Sequence, residues 1–99
     1  MDVALSVEDI PIRLTAERWF HIVENHDDLA GYYDDVLTTI ENPDLILRGH
    51  RGSLVACRNF GHDRFLSVIY RQVSQDDGFI ITAYFARKID RKKAIWQKQ

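Results

Sequence analysis

Ninety-nine residues, 45% of them hydrophobic, fill one domain around one modest core, expected over about residues 10–96, and leave no room for a second domain. No stretch approaches the roughly 18 consecutive apolar residues that cross a bilayer, and the start lacks the charged-then-apolar layout of a secretory signal, so a cytoplasmic protein without a membrane partner is expected. Cys57 is the sole cysteine, which excludes an intrachain disulfide and a cysteine zinc site; within the run VACRNF it reads as a small buried residue.

The net charge of −2 conceals a division along the chain. Residues 1–45 carry 11 acidic and 2 basic side chains, a balance of −9, whereas residues 46–99 carry 4 acidic and 11 basic, a balance of +7. Two consequences stay open. The basic half can face a phosphate backbone, or the halves can attract each other and keep the domain soluble.

Residues 1–9 show no clear period, and the first predicted strand is Ile10 to Leu14, where Pro11 argues for an edge position. Thr15 has the chemistry of a helix N-cap, and a helix is predicted from Ala16 to about Asn25. At about 100° per residue, Trp19, Ile22, Val23 and His26 share its apolar side, with Phe20 at the margin and His21 opposite. Two readings are open for His26: an imidazole satisfying terminal carbonyls and the helix dipole, or an acid–base or phosphate-contacting group at a cleft. A second helix is predicted from Leu29 or Ala30 to Glu41, burying Tyr33, Val36, Leu37 and Ile40 and stopped by Asn42-Pro43-Asp44. Its neighbouring Asp34 and Asp35 point about 100° apart and read as a solvated face rather than a metal site.

From Asp44 the chain reads as a strand meander: Leu45 to Arg48, a glycine-bounded GHRGS turn, Leu54 to Phe60, and Gly61-His62-Asp63 leading into a long hairpin over residues 64–87. With Ser74 to Asp77 as a four-residue loop, Val73 pairs with Gly78, Arg71 with Ile80, Ile69 with Thr82 and Ser67 with Tyr84. Leu66, Val68, Tyr70, Phe79, Ile81, Ala83 and Phe85 then form an apolar face. Arg71, Thr82 and Tyr84 lie on the other, mixed face, joined by Val55, Cys57 and Asn59. Arg58 falls on the apolar face, where it must snorkel to an edge or a bulge must intervene. The end, RKIDRKKAIWQKQ, holds six basic residues; Trp96 can pack as a last strand, and the tail is either solvated or suited to phosphates and base stacking. The phosphate-binding glycine loop, HExxH, the EF-hand loop and GxSxG are all absent.

The succession of a strand, RLTAERWFHIVENH, a second helix closing in ENPDLILRG, then FLSVIYRQV and FIITAYFAR with a basic, Trp-containing end, resembles the phage- and toxin-associated nuclease domains of the BECR fold, the group of barnase, EndoU, the tRNA-cleaving colicins and RelE. That resemblance implies an α+β domain with two N-terminal helices on one face of an antiparallel sheet of about four to five strands. It also implies metal-independent RNA cleavage without a cofactor, and an antitoxin or immunity protein as possible partner. It makes His26 the acid or base, Arg71 the cation on the phosphorane, and Thr82 and Tyr84 its hydrogen-bonding neighbours, with His21 and Arg58 secondary. Arg48, Arg51, Lys92, Lys93 and Trp96 are the remaining expected RNA contacts. The alternatives are a non-catalytic module that grips nucleic acid or protein on the same face, and an immunity-type protein whose acidic helices engage a basic partner.

Overall fold

The computed structural model describes residues 1–99. Seven strands, β1 (Asp2–Leu5), β2 (Pro11–Leu14), β3 (Leu45–Arg48), β4 (Leu54–Asn59), β5 (Phe65–Ser74), β6 (Asp77–Ala86) and β7 (Ala94–Gln97), form one sheet in the order β1-β2-β6-β5-β4-β3-β7. Helices α1 (Ala16–Asn25) and α2 (Tyr33–Glu41) lie between β2 and β3 in the chain, joined by a 3-10 turn at Asp27–Leu29. The expected four-to-five-stranded antiparallel sheet behind two N-terminal helices is therefore corrected: two strands precede the helices, the sheet has seven strands, and β2 runs parallel to β6.

The difference has identifiable causes. The first strand was hidden because Val3 and Leu5 are half-exposed at an edge while only Ala4 is buried, so a short, one-sided strand carries almost no periodic signal. Pro11 occupies the first position of β2, where a missing donor is tolerated, and β2 is an interior strand because β1 covers its other side. At the far end β7 adds to β3, setting Trp96 beside Ile46.

Local chemistry explains the helices. Thr15 is extended (φ −82°, ψ 156°) and its hydroxyl accepts from the Arg18 amide at 3.0 Å, the N-cap expected of it. Helix α2 begins later than expected because the 3-10 turn and residues 30–32 take up the preceding chain. Ile22, Leu29, Val36 and Ile40 join Ile12, Leu14, Ala56, Leu66, Val68 and Tyr70 in the main core, which places both helices on one side of the sheet. Arg58 also lies on this side. It is held by an ion pair to Asp35 of α2 at 2.7 Å and by its stacking over Phe60 at 4.7 Å, which answers the conflict without a bulge in β4 and gives Asp35 a partner instead of solvent alone.

The β5–β6 hairpin keeps the expected pairs Ile69–Thr82 and Ser67–Tyr84, but Ile81 is an extra residue in β6: Tyr70 pairs with Ile80, Arg71 with Phe79 and Gln72 with Gly78. The turn is two residues, Gln75 and Asp76, between the paired Ser74 and Asp77. Val73 of β5 is likewise unpaired, so the register is shifted by one between Ile81 and Val73, which turns Ile80 into the core and moves Phe79 to the opposite face, beneath Arg13. Gly78 sits in β6 between β2 and β5, where a Cβ would come within 2.5 Å of Ile12 Cδ1 and 2.6 Å of the Arg71 carbonyl oxygen. Gly78→Ala is predicted to destabilise the fold by about 1–3 kcal/mol, read as a lower urea midpoint; an unchanged midpoint would show that the β2–β6 contact is not that close.

Candidate functional site

The sheet face away from the helices has its own small core of Leu45, Leu47, Val55 and Cys57, capped by Ile89 and Ala94. What covers it follows from chain length. Strands β6 and β7 are four spacings apart in the sheet, about 19 Å, and residues 87–93 extend at most about 25 Å. The connection crosses this face with little slack and closes in a 3-10 turn at Arg91–Lys93. Ile89 anchors the strap in the middle, while Arg87, Lys88, Arg91, Lys92 and Lys93 stay exposed. The cations of the tail are thus laid over the sheet.

Two hollows flank the strap. One, of about 460 Å³, lies towards the C-terminus between Phe65, Asn59, Arg91 and Lys98. The other, of about 420 Å³, has Leu47, Val55, Ile69 and Ile89 among its apolar lining and Tyr84 and Ser67 on the hairpin side, with Lys88 and Lys93 from the strap. Ser67 is nearly fully buried; its hydroxyl donates to the Phe65 carbonyl at 3.2 Å and lies 3.8 Å from Cys57 Sγ. Burial raises the Cys57 thiol above its ordinary range, although the Ser67 contact opposes the shift, and this agrees with an inert core cysteine.

Tyr84 reaches beyond this hollow. Strand β2 pairs with β6 only at Gly78 and Phe79, so from Ile80 onwards the outer edge of β6 carries no strand. Helix α1 runs beside that edge and ends at His26, whose amide donates to the Ile22 carbonyl at 2.8 Å. Its half-buried imidazole lies against Tyr84, ring centroids 6.1 Å apart and planes inclined at 35°. The helical wheel puts His26 on the core side and Tyr84 on the opposite sheet face; the open edge is where the two meet. Burial raises the Tyr84 phenol above its ordinary value, with nearby Cys57 adding to the shift.

Thr82 is one step along β6 from Tyr84 on the same face, opposite Ile69. Arg71 is the next residue of that face on β5 after Ser67 and Ile69. Its guanidinium extends towards the turn at His50–Gly52, with Nη1 3.5 Å from where a Gly52 Cβ would stand. Gly49 and His50 of the same turn line the hollow. Arg71 and Thr82 therefore share a face with Tyr84, but the Ile81 bulge offsets Arg71 from Thr82, and no hydrogen bond joins any two of the three.

The other expected residues are dispersed. His21 is exposed, with Nδ1 3.5 Å from Glu24, on the polar side of α1. Arg58 is engaged with Asp35 on the helix side. Trp96 borders a third, smaller hollow with Ile46, Leu54 and Tyr70, also on the helix side, so it stacks away from the strap. Arg51, left-handed at φ 52°, is exposed in the turn beside Arg71, and Arg48 lines the hollow with Lys93. Sequence reasoning missed Lys88, Ile89 and the strap itself; the lone apolar Ile89 among charges was the available signal. No three His, Cys, Asp or Glu side chains come together as a metal centre requires.

No protein-family model matches this chain, no curated protein is significantly similar to it, and no solved structure matches its fold significantly.

Because the Tyr84 phenol is raised in the folded state, its contribution to stability is complete below the unfolded phenol value of about 10 and fades as pH climbs through the folded value. Tyr84→Phe is predicted to soften the alkaline fall in stability, measured by urea unfolding at stepped pH; an identical alkaline profile would mean that this phenol is not shielded from water.

Proposed function

We propose that the chain is a small, toxin-like, metal-independent endoribonuclease whose substrate lies across the strap-bearing sheet face. The observation that carries the proposal is the contact of His26 with Tyr84 around the open edge of β6, on the face that also holds Thr82 and Arg71. An imidazole beside a phenol, with a hydroxyl and a guanidinium further along the same face, contains the groups that intramolecular RNA cleavage needs.

In that reaction a base removes the proton of a ribose 2′-hydroxyl, and the oxygen attacks the adjacent phosphorus. The bond from phosphorus to the 5′-oxygen breaks, that oxygen receives a proton, and the products end in a 2′,3′-cyclic phosphate and a 5′-hydroxyl. His26 serves as the acid or base. Tyr84 and Thr82 hydrogen-bond the phosphate or orient the attacking hydroxyl. Arg71 stabilises the charge on the phosphoryl oxygens, a task suited to a planar fork that remains charged. The exposed cations of residues 87–93 hold the flanking phosphates, which makes binding salt-dependent.

The strap also supports a second reading, in which the same face binds nucleic acid without cutting it. One assay separates the two. The cleavage reading predicts that purified protein cuts single-stranded RNA in excess EDTA, and that His26→Ala and Arg71→Ala each lose about 100-fold or more of the rate while unfolding at the wild-type urea midpoint. RNA binding without products, equal in wild type and both variants, would refute catalysis and leave the binding module.

A further inference from the structure

The hollow between the strap and Tyr84 is built differently from the catalytic edge. Its deep wall is apolar: Leu47 and Val55 are buried and Ile89 closes it from above. Its charged lining, Arg48, Lys88, Lys93 and the single carboxylate Asp90, is exposed. One Asp90 carboxylate oxygen accepts from the Lys92 amide at 3.1 Å, which fixes the bend of the strap and leaves the other oxygen without a protein donor. A volume of about 420 Å³ falls within the range of small-molecule sites. An apolar slot ending on an aromatic ring, with cations along its rim, suits a flat ring joined to an anion. Pure phosphate would leave the slot unfilled, and an apolar molecule would leave three cations unanswered.

We propose that this hollow is a nucleotide-base pocket, which seats one base of a single-stranded RNA on Leu47, Val55 and Ile89 beside the Tyr84 ring while Lys88 and Lys93 take its phosphate. The proposal rests on the RNA reading above and adds a specificity site to it. Tyr84 connects the two: its ring centroid lies 6.1 Å from that of His26 and the residue also lines the hollow, so a seated base fixes the neighbouring phosphate relative to His26. The second Asp90 oxygen, exposed and without a protein donor, supplies an acceptor for a base N–H, which gives the pocket a means of ranking bases.

Nuclear magnetic resonance titration of the whole isotope-labelled chain tests this directly. Each of the four nucleoside 5′-monophosphates, added to millimolar concentration, is expected to shift the amides of Leu47, Val55 and Ile89, and the four are expected to differ in strength. Ribose 5-phosphate at the same concentration is expected to leave those amides in place. A 2′-O-methyl hexauridylate, which lacks the hydroxyl that cleavage requires, should shift the same amides at a concentration roughly tenfold or more below that of uridine 5′-monophosphate. Ala86→Phe, which fills the hollow from a half-buried position, and the double variant Lys88→Gln/Lys93→Gln should each weaken nucleotide binding about tenfold or more. Equal shifts from ribose phosphate and nucleotides, shifts confined to other residues, or undiminished binding by Ala86→Phe would overturn the pocket. Mononucleotides that bind where hexauridylate does not would mark a site for free nucleotides and overturn the RNA subsite. Nucleotide seated in the hollow of a protein that leaves RNA intact would uphold the pocket and refute cleavage. RNA cut at an undiminished rate by Ala86→Phe, with the floor amides unmoved, would do the reverse.

Discussion

The arrangement depends on how little of β6 its parallel neighbour covers. Strand β2 meets only Gly78 and Phe79, a contact made possible by the missing side chain at Gly78, and the rest of that edge has no strand beside it. An open edge ordinarily invites pairing with another chain. Here α1 follows it and ends at His26, so a residue from the helix layer comes into contact with a residue of the opposite sheet face. Had β2 paired along the whole of β6, the two faces would be sealed from each other and His26 would be confined to the helix side.

A second constraint acts at the other edge. The placement of β7 outside β3 forces residues 87–93 across the sheet, and the side without helices is the one available. The charge division in the sequence thereby becomes a division in space. Acidic residues such as Glu17, Glu24, Asp28 and Asp34 are exposed on the helical layer, while five cations of the strap stand over the far face. The halves also attract each other locally, through Arg58 with Asp35 at 2.7 Å and Arg13 with Asp77 at 2.8 Å. Both pairs are partly exposed and contribute modestly to stability. Their larger consequence is orientation: a polyanion approaching such a dipolar surface is drawn to the strap.

Much of the local structure was legible because the signals were local. Thr15 marked the start of α1, Pro43 the end of α2, and alternation from Leu66 to Tyr70 gave the buried side of β5. The pairs Ser67–Tyr84 and Ile69–Thr82 followed from the same period. Between Thr82 and the turn the count failed, because the unpaired residues Ile81 and Val73 shift the register by one and then restore it, and such bulges have no composition of their own. The parallel pairing of β2 and the addition of β7 to β3 join residues more than 40 positions apart, and periodicity carries no information about such neighbours. For the site, the types and shared face of Arg71, Thr82 and Tyr84 were readable. The meeting of His26 with Tyr84 was not, since it depends on where a neighbouring strand stops.

On the proposed reading His26 and Tyr84 act as one unit on a phosphate delivered to this edge. A double-mutant cycle on the rate of RNA cleavage, with His26→Ala, Tyr84→Phe and their combination, measures it most directly. Coupled groups predict that the double variant is about as slow as the slower single variant, an interaction on the order of 1–3 kcal/mol. Losses that multiply independently, or a wild-type protein that cuts no RNA, would contradict it.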